Sequence, residues 1–401
     1  MRSYRELFRT PGFTPLFLAS SAQTMARTVG GLALGVLVFR ATQSPLLSAV
    51  SMFGSSLTQV FGVTFLLSAA DRLPPRAALT GLSLTFAAGT ALLALPGLPV
   101  WAVLAVVLVQ GLGESVGGGV RWGLLAELLP EEGYLLGRSV FNMTGGAVQI
   151  AGYATGGILV AALSPRPALL LAAALYGTAA LTARLRLTRR PARADGRPSV
   201  AATLRTNAVL WSSPPRRHAY LALWIPNGLV VGCESLFVAY APGGAGTLFA
   251  CAALGMLAGD VTVGRLVPPR LRPRLGTPLL LLLAAPYLAF LLRPPLPAAA
   301  ALAALASVGF GASLVQQEQL MSRTPGHLAG HALGLHSAGM LTAQGASAAL
   351  AGTLAQLASP AWAITLLAAG SIVVTAVLWG RPRREKEKEG EGEGEGAESV
   401  R

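Results

Sequence analysis

The fold class this sequence predicts is an all-α integral membrane protein, with about twelve transmembrane helices in two pseudo-symmetric bundles of six. Three observations predict it. Twelve apolar stretches are long enough to cross a bilayer, basic residues alternate between the loops that join them, and the two halves carry a repeated pattern. The composition agrees: of 401 residues, 53% are apolar and 12% charged, with a mean hydropathy of +0.58. A soluble domain averages about 25% charged residues. A hydrocarbon core about 30 Å thick takes roughly 20 residues of helix. On that measure the spans are 13–39, 45–70, 77–95, 100–120, 140–162, 167–184, 218–240, 244–263, 276–292, 297–316, 334–357 and 361–380.

Charge placement orders these spans. Of the 31 Lys and Arg residues, 27 lie at the termini or in even-numbered loops. The odd-numbered loops hold Arg40, Arg166 and Arg293, and Arg27 lies inside span one. Such a bias predicts a multi-pass protein of the cell membrane with both termini cytoplasmic, and it accounts for the net charge of +14. Basic residues spread through loops, rather than gathered on one folded face, argue against a nucleic-acid surface. The first apolar stretch outruns a signal-peptide core and reads as an uncleaved first span. Cys233 and Cys251 fall in neighbouring spans as small buried hydrophobes rather than as a disulfide.

The longest polar stretch, 185–217, is arginine- and proline-rich and separates six spans (1–184) from six (218–380). After span two come Asp71, Arg72, Pro74, Pro75 and Arg76; after span eight come Arg265, Pro268, Pro269 and Arg270, 193–194 residues later. Gln149 and Gln344 recur at offset 195, as do Pro130 and Pro325. Parallel six-span repeats place a substrate site between the halves, near the membrane midplane. The 381–401 tail is a charged Glu-Gly repeat that cannot bury a core and reads as disordered.

At these residues the chain resembles the major facilitator superfamily, and within it twelve-span drug and metabolite:proton antiporters of the macrolide and siderophore efflux branch. In the loop after span two, Asp71, Arg72 and Arg76 match the family pattern, whereas Leu67, Pro74 and Pro75 replace two glycines and a basic residue. The stretch joining spans four and five matches at Arg121, Glu127, Pro130 and Arg138. The antiporter signature of span five survives as Gly152, Gly156 and Gly157, with Val148 for its first glycine and Tyr153 for its proline. The resemblance implies a central cavity lined by spans one, four, seven and ten. It also implies a cytoplasmic latch, here assigned to Asp71, Arg72, Arg76, Arg121 and Glu127. Export accompanies that proline in the family, so Tyr153 leaves proton-coupled uptake open beside it.

Charges inside a membrane span are costly and mark function. Arg27, Glu114 and Glu234 fall in spans one, four and seven, and Asp260 near the inner end of span eight suits an interfacial pair with Arg265. Helical rise puts Arg27 roughly 21 Å and Glu234 roughly 24 Å from the cytoplasmic ends of their spans, but Glu114 only about 9 Å. Arg27 and Glu234 are therefore expected to pair as the outer gate closes. Glu114, too deep to reach Arg27, is expected to be the acid without a fixed partner that loads and releases a proton. Polar and aromatic stripes at helical spacing supply a candidate substrate cavity: Gln110, Asn142, Gln149, Tyr153, Tyr220, Trp224, Asn227 and Gln344. Such walls suit amphiphilic, often cationic, molecules.

No zinc site is expected, since His327 and His331 have no obvious third ligand. No Walker sequence points to ATP, and the chain shows no nucleophile–base arrangement of an enzyme. The expected partners are a small-molecule substrate and the lipid bilayer, with no nucleic acid, no obligatory protein partner and no cofactor beyond the proton gradient. The leading function is secondary-active, proton-coupled export of a hydrophobic or amphiphilic molecule. The alternatives are proton-coupled uptake and a non-transporting membrane sensor or assembly protein.

Overall fold

The computed structural model describes residues 4–61, 73–192, 200–268, 270–325 and 328–378. All regular structure among them is helical, as expected where every backbone polar group must be satisfied without water. Ten helices are long and apolar enough to cross a membrane among these residues. They are spans one (Phe13–Thr42), three (Pro75–Leu93), four (Val100–Leu128), five (Leu136–Ala162), six (Pro165–Arg186), seven (Pro214–Tyr240), eight (Ala245–Leu266), nine (Arg272–Leu292), ten (Leu296–Ser322) and twelve (Pro360–Leu378). Span two begins as Pro45–Phe61, and its expected end at 70 lies outside the described residues. Span eleven, Ala329–Leu357, is 29 residues long but rich in small and polar side chains.

Proline starts several of these helices at their first turn (Pro75, Pro165 and Pro214), where its missing N–H costs no helical bond. Span four runs eight residues beyond its expected end at 120, so Arg121 is part of the membrane helix rather than of a loop. The hydrophobic pattern stops at the glycine run, but the helix is continued by Trp122, Leu124 and Leu125. The basic linker is partly helical. It contains the helix Val200–Ser212, whose Trp211 stacks on Trp224 of span seven with ring centroids 5.6 Å apart.

Packing reproduces the repeat. Spans one and five pair in the first half and seven and eleven in the second; two and four correspond to eight and ten. Spans two with eleven and five with eight join the halves, a pattern that maps onto itself when the halves are exchanged.

The two ends of the molecule differ. At the end farther from the chain termini a single buried apolar cluster spans both halves, from Leu32, Val36 and Val38 to Val230, Phe237 and Phe249. There Gly157 and Gly246 bring spans five and eight into backbone contact, so a Cβ on Gly157 would lie 2.8 Å from the Cα of Gly246. Gln356 donates a hydrogen bond to Ser44 Oγ at 3.2 Å, tying span eleven to span two. At the terminal end each half keeps its own cluster, around Leu7, Phe13 and Leu125 in the first and Tyr220, Leu223 and Leu320 in the second. Spans five and eight stay in touch there through Arg265, which donates to Met143 Sδ at 3.2 Å. Asp260 is exposed, and Arg265 reaches across to span five. Among the described residues the halves thus share one buried core at one end and keep separate cores at the other.

In a protein otherwise free of cysteine, Ser44→Cys with Gln356→Cys is expected to cross-link efficiently on mild oxidation, read by mass spectrometry. Adding Gly246→Leu, which drives a side chain into Gly157, is expected to lower that yield severalfold. An unchanged yield would mean the glycine contact does not hold the end shut.

Candidate functional site

The intramembrane charges gather where the halves part. A cavity of about 210 Å³ between them is lined by Arg27, Glu114, Gln149, Tyr153, Glu234 and Gln344, among others. A second cavity of about 210 Å³ extends into the first half, where Arg27 and Glu114 meet Gln23, Gln59, Arg121 and Tyr176. A third, of about 60 Å³, again touches Arg27 and Glu114 and reaches Gln110. Arg27 is exposed within these spaces. A guanidinium at this depth requires such a wet space, because lipid contact would cost several kcal/mol or more.

Two expectations about the charges are corrected. Arg27 and Glu234 line one cavity but form no ion pair in this state, although the end above them is closed. Glu234 is buried, at 7% exposure, with Tyr287 Oη donating to it at 3.4 Å and Ser307 Oγ at 3.3 Å. Glu114 is not too deep for Arg27 and is not without a partner. Gln59 donates to its Oε2 at 2.7 Å, and Arg27 and Arg121 both act on it electrostatically. The depth estimate failed because span four continues to Leu128. Eight further residues put Glu114 about 12 Å farther from the cytoplasmic end of its helix than an end at 120 allows, which brings it toward the height of Arg27.

The candidate cavity residues separate into three groups. Gln149, Tyr153 and Gln344 line the central cavity. Tyr153 stacks on Phe249 of span eight at 4.8 Å, bridging the halves. Gln344 Nε2 donates to Oδ1 of buried Asn227 at 2.9 Å, so Asn227 acts behind the wall rather than in it. Gln110 is held at the span three–four contact by Phe86 O and Thr90 Oγ1, each at 3.3 Å. Tyr220 and Trp224 do not face the cavity. They stack with Trp211 near the terminal end, where Tyr220 Oη donates to Ala332 O. Asn142 is exposed on span five.

The expected latch is also redistributed. Asp71 and Arg72 lie outside the described residues. Arg76 is half-buried, with no hydrogen-bond partner for its Nε. Glu127 pairs with Arg190, after span six, at 3.6 Å. Arg121 belongs to the cavity, its guanidinium carbon 5.1 Å from the centre of the Trp122 ring. Sequence reasoning missed it because the charge bias assigned it to a loop. The available signal was spacing: Glu114, Gly117, Gly118 and Arg121 stand at i, i+3, i+4 and i+7, one face of one helix. Gln59, Tyr287 and Ser307 had no such signal, since their partners are distant in sequence.

Comparison with known proteins fits this architecture. The profile of the Major Facilitator Superfamily matches residues 16–323. The chain belongs to the major facilitator superfamily. Among solved structures it is similar to a POT family transporter in complex with a thioalcohol-conjugated peptide, at 12% identity and a TM-score of 0.72, covering 93% of this chain and 96% of that one. The same family in complex with 5-aminolevulinic acid gives 13% identity and a TM-score of 0.72, over 92% and 95% of the two chains. A bacterial homologue of the human lysosomal transporter Spinster, inward-facing and unoccupied, gives 14% and 0.66, over 94% and 95%. At these identities the likeness concerns the fold alone. No curated protein matches the sequence. A transporter of this superfamily moves its substrate between the two halves of the bundle, which here is where the charges lie.

Gln344→Leu is expected to lower stability by about 1 kcal/mol, because it leaves buried Asn227 without its partner. Thermal unfolding in lipid nanodiscs reads the change.

Proposed function

We propose that this protein exports a small amphiphilic molecule in exchange for protons, by alternating access of the central cavity. The observation that carries the reading is the asymmetry of the two ends among the described residues: one apolar core joins the halves beyond the cavity, while each half keeps its own core on the terminal side. Placing the basic loops in the cytoplasm by the positive-inside rule makes this the inward-facing state. Substrate would then enter the cavity from the cytoplasm, as export requires.

In this reading Glu234, rather than Glu114, carries the coupled proton. Among the described residues neither acid has a cation at ion-pair distance, but Glu234 is held by hydroxyls, whereas Glu114 accepts from Gln59 and lies in the field of Arg27 and Arg121. A carboxyl facing a cavity and held by two hydroxyls accommodates either a proton or a donor group of the substrate. The two would compete for it, and that competition is what exchange needs. Rocking about the span two–eleven and five–eight contacts would carry Glu234 from one face to the other.

Proton-coupled uptake is the second reading. Tyr153 favours it, because an aromatic stack across the halves stands where the antiporter signature has its proline. The ligands in the solved POT structures include 5-aminolevulinic acid, a molecule with both an amine and a carboxylate. That makes charged small molecules a sensible first panel here.

Inverted membrane vesicles with an imposed pH gradient separate these readings. A substrate that dissipates the gradient is expected with wild type and with Glu114→Gln, but not with Glu234→Gln. The reverse pattern would return the proton to Glu114. Accumulation only when vesicle orientation and gradient suit symport would establish uptake. Binding without flux in either orientation would leave a non-transporting membrane protein.

A further inference from the structure

The side cavity in the first half holds an imbalance of charge that the proton exchange does not use. Arg27 and Arg121 both line it, from spans one and four. Among the described residues neither guanidinium makes an ion pair or a hydrogen bond, and Arg121 Nε is buried without a partner. A buried donor left unsatisfied costs about 1–3 kcal/mol, more when charged. The groups around them are engaged elsewhere. Gln23 Nε2 donates to Ser83 Oγ at 2.7 Å, and Gln59 Nε2 donates to Glu114 at 2.7 Å. Among the described residues Glu114 is the one carboxylate lining this cavity and answers only one of the two positive charges.

The space between the charges is open on one side. A Cβ built on Gly118 would meet no atom of the described residues within 4 Å. Gly118 lies one turn before Arg121 on the face that also carries Glu114. The Trp122 ring, 5.1 Å from the Arg121 guanidinium carbon, supports that side chain at its position.

We propose that this cavity is an anion subsite, which takes the carboxylate of an organic-acid substrate between Arg27 and Arg121, with the carbon skeleton of the ligand passing Gly118 toward the central cavity. The inference rests on the transport reading above and narrows its substrate class. A planar guanidinium matches a carboxylate in charge and geometry. Because Arg27 also lines the central cavity, a molecule held here reaches the space where Glu234 lies. The substrate so defined carries an acid at one end and a hydrogen-bond donor or apolar body at the other.

The test is equilibrium binding to the full chain in lipid nanodiscs, without flux. The probe is 4-phenylbutyrate, with 4-phenylbutanol and 4-phenylbutylamine as carriers of the same skeleton. Wild type is expected to bind the carboxylate saturably and the alcohol and amine at least roughly tenfold more weakly. Arg121→Gln is expected to weaken the carboxylate by roughly tenfold to a hundredfold, and Arg121→Lys by less. Gly118→Leu fills the open space without altering charge and is expected to block binding while the thermal unfolding profile stays that of wild type. The proposal is overturned if the carboxylate fails to bind wild type, if the alcohol binds equally, or if Arg121→Gln and Gly118→Leu bind as wild type does. Intact carboxylate binding in a chain that moves no substrate against a pH gradient would sink the transport reading alone.

Discussion

A guanidinium inside a bilayer must stay wet or be paired, and Arg27 governs this structure through that requirement. It stands mid-way along span one, exposed, without an ion pair among the described residues, and borders each of the three cavities described above. Were the two halves packed together along their whole length, its charge would lose the water of the central cavity and be left with Glu114, which it shares with Arg121. The parting of the halves at the terminal end is therefore tied to the chemistry of the site. The same opening that admits a ligand hydrates the arginine. The opposite end is sealed by material of another kind, the apolar cluster of Val36, Val38, Phe237 and Phe249 and the bare backbones of Gly157 and Gly246.

Four charged side chains divide into two sets of unlike character. Glu114, Arg27 and Arg121 line one cavity in the first half, where Gln59 donates to Glu114. Glu234, in the second half, faces the same central space with hydroxyls alone. A ligand spanning the two sets would touch both halves at once, and this gives a physical reason for binding to influence how they pack. Spans five and eight, in contact from Gly157–Gly246 to Met143–Arg265, supply a seam about which such a movement can turn.

Much of the fold was legible in the sequence, since span length, apolar runs and the Lys/Arg alternation are properties of single helices in lipid. The paired recurrences at offset 195 foreshadowed the exchange symmetry seen in the packing. The site was less legible. Arg121 obeyed the loop-charge rule while sitting on a helix that runs on to Leu128, so the rule misplaced it and the depth of Glu114 with it. The aromatic stripe of Tyr220 and Trp224 had the spacing of a cavity wall, but Trp211, from a linker that gave no helical signal, covers it instead. Tyr287 and Ser307 reach Glu234 only through the packing of spans nine and ten, which no local pattern encodes.

Alternating access requires the two ends of the bundle to exchange roles. Electron–electron resonance distances in nanodiscs test it most directly, with one label pair at Leu163 and Leu292 on the sealed end and another at Leu185 and Leu271 on the parted end. On going from alkaline to acidic buffer, or on adding a bound ligand, the account predicts a population in which the first distance lengthens while the second shortens. Distances that stay fixed, or that lengthen and shorten together, would contradict it.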